Sequence, residues 1–368
     1  MIGRRRLVIA ASALPAIIGL GHHPVQAQPK MVFKLANASG VTDASQCFVT
    51  VGRHPKLAYY QAEGIDFEYV NMSNVSQALQ SIATGENFLG ALVPGIYLPV
   101  VGKNPSIGIV SVYTWLPRNA NTVAVKPGSP FKTIADLKGK RIGIRNQGDS
   151  GRVVVRTMFN ELGLGDGGVE FIAIGDSGPA GNALYADRVD AVASYDTAAA
   201  RVEMAGFKLR YLPLTPIYGR QQSASMGANR RLLTEKRREL VGFLRALAKS
   251  TLTAHANPTQ AIYAHWAQYP ESKPKSKDEK DAASEMLFLL GRRLENMMRD
   301  PADKDHRMGA TNLEAWKGFI DMASEVSSDP DLARKLGDPH KLFTNELIDE
   351  VNDFDKAAIV KRAQEFTV

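Results

Sequence analysis

The sequence predicts an α/β protein of two similar halves, with mostly parallel sheets flanked by helices and a helical C-terminal region. Three observations carry this. A strand, loop and helix order runs from Met31 to Val93 and returns from Arg141 to Ala193. Two extended segments, Ile107 to Val125 and Tyr211 to Met226, lie between and after the repeats. Beyond Ala228 the apolar residues fall at helical spacing. Alternating strands and helices imply parallel pairing with right-handed crossovers.

Each element follows from its own residues. Met31 to Ala36 reads as a strand that runs into the polar loop Asn37-Ala38-Ser39-Gly40-Val41-Thr42. A helix follows and ends at Gly64, the usual left-handed residue after a helix. Ile65, Phe67 and Tyr69 alternate with Asp66 and Glu68, which predicts a strand over 65–70. Ser73 is expected to cap the next helix, whose Val75, Leu79 and Ile82 share a face before Gly85. Phe88 to Val93 is a third strand, broken by Pro94-Gly95. In the second half, strands are expected at 141–145, 169–174 and 189–193. Between them a helix carries Val155, Met158, Phe159 and Leu162 on one face and stops at Gly163, and a shorter helix opens after Gly175 to Pro179. Leu233, Leu240, Leu244 and Leu247, then Leu287, Leu290 and Leu294, mark C-terminal helices.

The first 27 residues say where the chain works. Arg4-Arg5-Arg6, the short apolar run Leu7 to Leu20, and Val25-Gln26-Ala27 have the three-part pattern of a cleaved secretory leader. The run is shorter than the roughly 20 residues a membrane span needs. Cleavage after Ala27 would leave Gln28 first; the arginines also fit a loose twin-arginine pattern, so the export route stays open. Without the three leader arginines the formal charge of +7 falls to +4, a mild and dispersed excess that argues little for nucleic acid, and no nucleic-acid partner is expected. Cys47 is the sole cysteine, so neither an intrachain disulfide nor a cysteine metal site is expected. No Ser/His/Asp order, HExxH, phosphate loop or clustered carboxylates appear, and no catalytic residue, metal or cofactor is expected.

Four segments resemble the type II periplasmic binding proteins of ABC importers, in the branch of sulfonate, taurine, nitrate and thiamine-precursor (NMT1/THI5-like) receptors. They are Tyr59-Tyr60-Gln61-Ala62-Glu63-Gly64-Ile65-Asp66, Ser129 to Lys140 with its Asp136-Leu137-Lys138-Gly139-Lys140, Arg188-Val189-Asp190-Ala191, and Leu342 to Asp349. Asp187 stands where that family usually has glycine, and residues 270–310 match nothing in it. The resemblance implies two lobes on a two-strand hinge that close on a small solute and then dock on an inner-membrane ABC permease with its ATPase. It places a leader at 1–27, the first part of lobe one at 28–120, lobe two at 121–213, and a return to lobe one with C-terminal helices at 214–368. It implies a periplasmic monomer. Enzymes on the same scaffold (pyrimidine-precursor synthases, menaquinone-pathway lyases) and a ligand sensor for another partner are the alternatives.

In parallel sheets, ligands sit beyond the carboxyl ends of strands, where helix N-termini offer free N–H groups and favour anions. That rule nominates Asn37, Ser39 and Gly40, then Pro94 and Gly95, on lobe one. On lobe two it nominates Asn146, Gln147, Gly148, Ser150 and Gly151, then Tyr195 and Asp196. Two roles are open for several of these. Ser150 either caps a helix or donates to a ligand; Asp196 either caps or makes a polar contact; Asn37, Ser39 and Gly40 are also turn formers. Trp115, with Tyr113 nearby, is either a stacking wall or core. Arg118 and Arg145 could meet an anion or only pair with a carboxylate. An anionic or aromatic organic solute is the expected ligand class.

Overall fold

The computed structural model describes residues 31–275, 278–297 and 307–368; the expected leader lies outside them. Ten strands form two five-stranded sheets. The first holds β1 (Met31–Asn37), β2 (Ile65–Asn71), β3 (Leu89–Leu92), β4 (Ile109–Leu116) and β10 (Ala224–Asn229), in the order β2-β1-β3-β10-β4. The second holds β5 (Asn121–Val125), β6 (Arg141–Ile144), β7 (Glu170–Ala173), β8 (Ala191–Tyr195) and β9 (Arg210–Tyr211), in the order β7-β6-β8-β5-β9. The repeated strands pair in parallel, β1 with β2 and β3, β6 with β7 and β8. Each sheet also takes one strand that follows directly on a strand of the other sheet, and these, β10 and β5, pair antiparallel to their neighbours. The two sheets with their helices make the type II periplasmic-binding-protein fold.

Two short crossings join the sheets, one from β4 to β5 and one from β9 to β10. They run side by side: Ser223 N–H donates to Leu116 C=O at 2.9 Å, and Leu212 N–H to Val123 C=O at 2.8 Å. Each sheet has its own core. In the first, Phe243 of the helix Arg237–Ala256 packs its ring 5.4 Å from Phe33, 5.3 Å from Tyr60 and 5.7 Å from Phe67. This fastens the C-terminal region to β1 and β2, and a large-to-small change at such a ring costs about 3–5 kcal/mol. In the second, Val155, Met158 and Phe159 of the helix Gly151–Glu161 bury against Ile142 and Ile144.

Local details differ from the sequence reading where side chains compete. The cap of the helix Val75–Thr84 is Asn74, not Ser73: Asn74 Oδ1 accepts from Gln77 N–H at 3.0 Å. The strand expected at 189–193 begins at Ala191, because Asp190 is drawn into a bidentate pairing with Arg141. Before Gly139 the chain makes one tight turn, Ala135–Leu137.

Candidate functional site

Register brings the first half of the site together. The seven-residue parallel pairing of β1 with β2 sets Asn37 beside Asn71, and Asn37 Nδ2 donates to Asn71 Oδ1 and to Val41 C=O, both at 2.8 Å. Asn37 Oδ1 accepts from Ser39 N–H at 3.2 Å and Ser39 Oγ at 2.9 Å. The amide is thus committed to shaping its loop, which curls over the end of the sheet. Asp43 and Gln46 cap the next turn reciprocally, and Gln46 Nε2 reaches back to Ser39 Oγ at 3.2 Å.

Between this loop and the strand ends of the second sheet lies a crevice of about 870 Å³, its open mouth included. Both halves wall it. Asn37, Ser39, Phe48, Tyr69, Val93 and Trp115 come from one, and Arg145, Ser150 and Tyr195 from the other; Met226 and Arg293 complete it. Most of the wall is apolar or aromatic. Phe48 stacks on the Trp115 indole at 5.4 Å, and the Arg293 guanidinium stands 5.1 Å from the same ring. Burial pushes the Tyr69 and Tyr195 hydroxyls up, so both stay protonated at neutral pH.

The two guanidiniums in the wall are already paired. Arg145 Nε donates to Asp149 Oδ2 at 2.9 Å, while its Nη1 and Nη2 cross the crevice to the carbonyls of Ser39 (2.5 Å) and Ala38 (3.3 Å). Its guanidinium also lies 5.4 Å from the Tyr195 ring. Arg293, from the helix Glu279–Met297, donates to Asp196 Oδ1 at 2.8 Å and Thr197 Oγ1 at 2.9 Å. Burial drives the Asp196 carboxyl up, and Arg293 opposes it. A third arginine, Arg201, bridges Asp43 at 3.1 Å and Asp176 at 3.0 Å, again joining the two halves.

Five nominated residues line the crevice: Asn37, Ser39, Trp115, Ser150 and Tyr195. Pro94 and Gly95 line an adjoining recess. Six others stand outside its lining. Gly40 forms the turn beside Arg145 at φ 76°, where glycine has no steric penalty. Asn146 donates to Ser73 C=O at 3.4 Å across the halves, and Gly148 abuts Asn74 so closely that a Cβ would sit 2.7 Å from it. Gln147 is exposed. Gly151 lets its helix approach the Ala193 carbonyl. Asp196 is the buried partner of Arg293 and Asn296. Of the other candidates, Arg145 enters the crevice, Tyr113 is buried core and Arg118 is exposed.

Sequence reasoning missed Phe48, Met226 and Arg293. Tyr69 had a signal, since the alternation that put Ile65 and Phe67 inward puts it inward too. Arg293 had none, because its helix belongs to the stretch without any match.

The comparisons with known proteins agree with this architecture. The family model described as NMT1/THI5 like matches residues 54–261, more than half the chain. Binding proteins of Brucella abortus and Brucella suis are 30% identical over 106 residues, 28% of this chain. The match spans 31% of the length of these curated relatives. Among solved structures, a protein of Bordetella bronchiseptica RB50 superposes with a TM-score of 0.65 at 17% identity, over 88% of this chain and 97% of its own. The periplasmic aliphatic sulphonate binding protein SsuA of Escherichia coli gives 0.59 at 17% identity, over 80% and 85% of the two chains. The alkanesulfonate-binding protein SsuA of Xanthomonas axonopodis pv. citri, bound to MOPS, gives 0.58 at 17%, over 87% and 97%. At such identities the superpositions speak for the fold, and the match along the sequence for the lineage: this chain is a member of the NMT1/THI5-like family.

Proposed function

We propose that this protein is an exported solute receptor that closes on a small, flat organic molecule and presents it to an inner-membrane ABC permease. One observation carries the reading: a crevice walled by both sheets, between which the chain crosses from β4 to β5 and from β9 to β10, with Arg145, Asn146 and Arg201 reaching from one half to the other. Residues 28–120 and 214–368 act as one lobe and 121–213 as the other, turning about those crossings. A ligand that touches both lobes gains contacts only when they close, so it shifts the population toward the closed form. The leader at 1–27 would deliver the chain to the periplasm, where the sulphonate-binding relatives work.

Of the two expected ligand classes, the wall favours the aromatic over the strongly anionic. Arg145 and Arg293 are each neutralised by a buried carboxylate, whereas Phe48, Tyr69, Trp115 and Tyr195 offer apolar surface. The same pairing favours binding over catalysis, since these charged wall groups are held in ion pairs rather than poised for proton transfer. Native mass spectrometry of freshly purified protein should show a bound small molecule. Thermal-shift screening should show aromatic carboxylates or neutral aromatics raising Tm more than alkyl sulfonates or nitrate. No co-purified mass together with no shift from any compound would overturn the receptor reading.

A further inference from the structure

Beside the crevice lies a second, smaller chamber of about 480 Å³, its open mouth included. The two share Val93, Asn121, Ser150 and Ser223, so they meet at a waist made by these residues. The chamber's far wall is Phe319, Met322 and Ala323, from the helix Leu313–Val326, which lies beyond the family match. Opposite stand Val153 and Val154 of lobe two. Its lining is largely apolar, whereas the waist is not.

Two waist residues are more than nine-tenths buried with hydrogen-bonding capacity left over. Ser150 is 8% exposed and stands at the N-cap of the helix Gly151–Glu161, but its hydroxyl makes no capping bond and has no hydrogen-bond partner among the described residues. Asn121, also 8% exposed, donates from Nδ2 to Asn119 Oδ1 at 2.9 Å and Tyr218 Oη at 3.1 Å, which leaves its Oδ1 without a donor among them. Neither atom is among the fully enclosed unpaired polar atoms, so each can be reached from the pocket space and is free to pair with a ligand. A free hydroxyl donor and a free carbonyl acceptor at one waist match the carbonyl and N–H of a secondary amide.

The geometry points to an elongated solute: a flat head in the crevice, an amide-like link at the waist that accepts from Ser150 Oγ and donates to Asn121 Oδ1, and a short apolar tail in the second chamber. This rests on the receptor reading and narrows its ligand class. The test titrates the full mature chain with benzamide, N-ethylbenzamide and N-butylbenzamide by ligand-observed NMR. The butyl compound should bind at least about tenfold more tightly than benzamide, because each buried methylene is worth up to about fourfold. Met322→Trp, at a half-buried position, should fill the chamber, bring the two within about twofold and leave benzamide unchanged; a matching Tm shows that it folds. Ser150→Ala should weaken all three alike. The chain-length series on the unaltered protein reads the tail chamber without any variant. Equal affinities along the series, a butyl advantage that survives Met322→Trp, or no binding of any amide would overturn the two-chamber assignment. A co-purified small molecule of another chemistry, found by mass spectrometry, would still uphold the receptor.

Discussion

Arg145 shows how one side chain can serve both the stability of its own half and the contact between the two. Its pairing with Asp149 is nearly dry, with the two side chains 10% and 3% exposed, while the rest of the guanidinium spans to the opposite loop. Removing one partner of a buried pair leaves an uncompensated charge, so Arg145→Ala should cost about 3 kcal/mol. Adding Asp149→Asn to it should recover at least ~1 kcal/mol, since residues in direct contact do not behave additively. A double-mutant cycle by urea unfolding measures this. Strict additivity would mean that the pairing contributes nothing to the fold.

At the scale of elements, two backbone positions carry opposite expectations. Gly148 sits where the lobe-two loop meets the cap of the helix Val75–Thr84, and Asn74 cannot swing away without giving up its hydrogen bond to Gln77. On the proposed closing motion, Gly148→Ala should hold the halves apart, weakening the affinity for a bound solute tenfold or more while Tm in its absence stays within a degree or two. Isothermal titration together with thermal unfolding separates the two effects. Asp187, between the helix Ser177–Tyr185 and β8, holds φ 55° without being glycine. Asp187→Gly relieves left-handed strain worth about 1 kcal/mol and gives back part of it through the freer unfolded chain. The net expectation is a gain of about 0.5 kcal/mol. The ion pair lost with Lys126 is surface-exposed and changes little. A lower urea midpoint would contradict this account.

For the whole molecule, pH couples to folding through two histidines, His265 fully buried and His255 partly buried. Burial lowers His255 and His265 to about 4, from an ordinary value of 6.5. The unfolded chain therefore takes up protons between pH 6.5 and 4 that the folded chain refuses. Stability is full above pH 6.5 and is lost as pH falls, by up to about 1.4 kcal/mol per unit for each histidine. Urea midpoints at pH 7 and pH 5 should show this slope. His265→Gln, although less stable at pH 7 through its lost contact with Thr50, should flatten the slope by one histidine's share. An unchanged slope would mean that His265 is not buried as a neutral group.

The fold class, the order of elements and the loops at the strand ends were legible along the chain because they are written in short windows. Alternation at 65–70, the helical face of Val75, Leu79 and Ile82, and stops such as Gly85 and Gly163 need only neighbours within a few residues. The strand-end rule put Asn37, Ser39, Ser150 and Tyr195 at strand ends on the same basis, and these four line the crevice. Which groups face the crevice was settled by packing between distant segments. Arg293 reaches Trp115 and Asp196 because the helix Glu279–Met297 crosses the start of the helix Asp196–Met204. Phe48 meets the indole through a fold-level contact, and the second chamber exists because the helix Leu313–Val326 closes behind Ser150. Local periodicity decides which face of a helix is apolar; the angle at which two helices meet decides what that face touches. The first is a property of the chain, and the second arises only when the whole chain has folded.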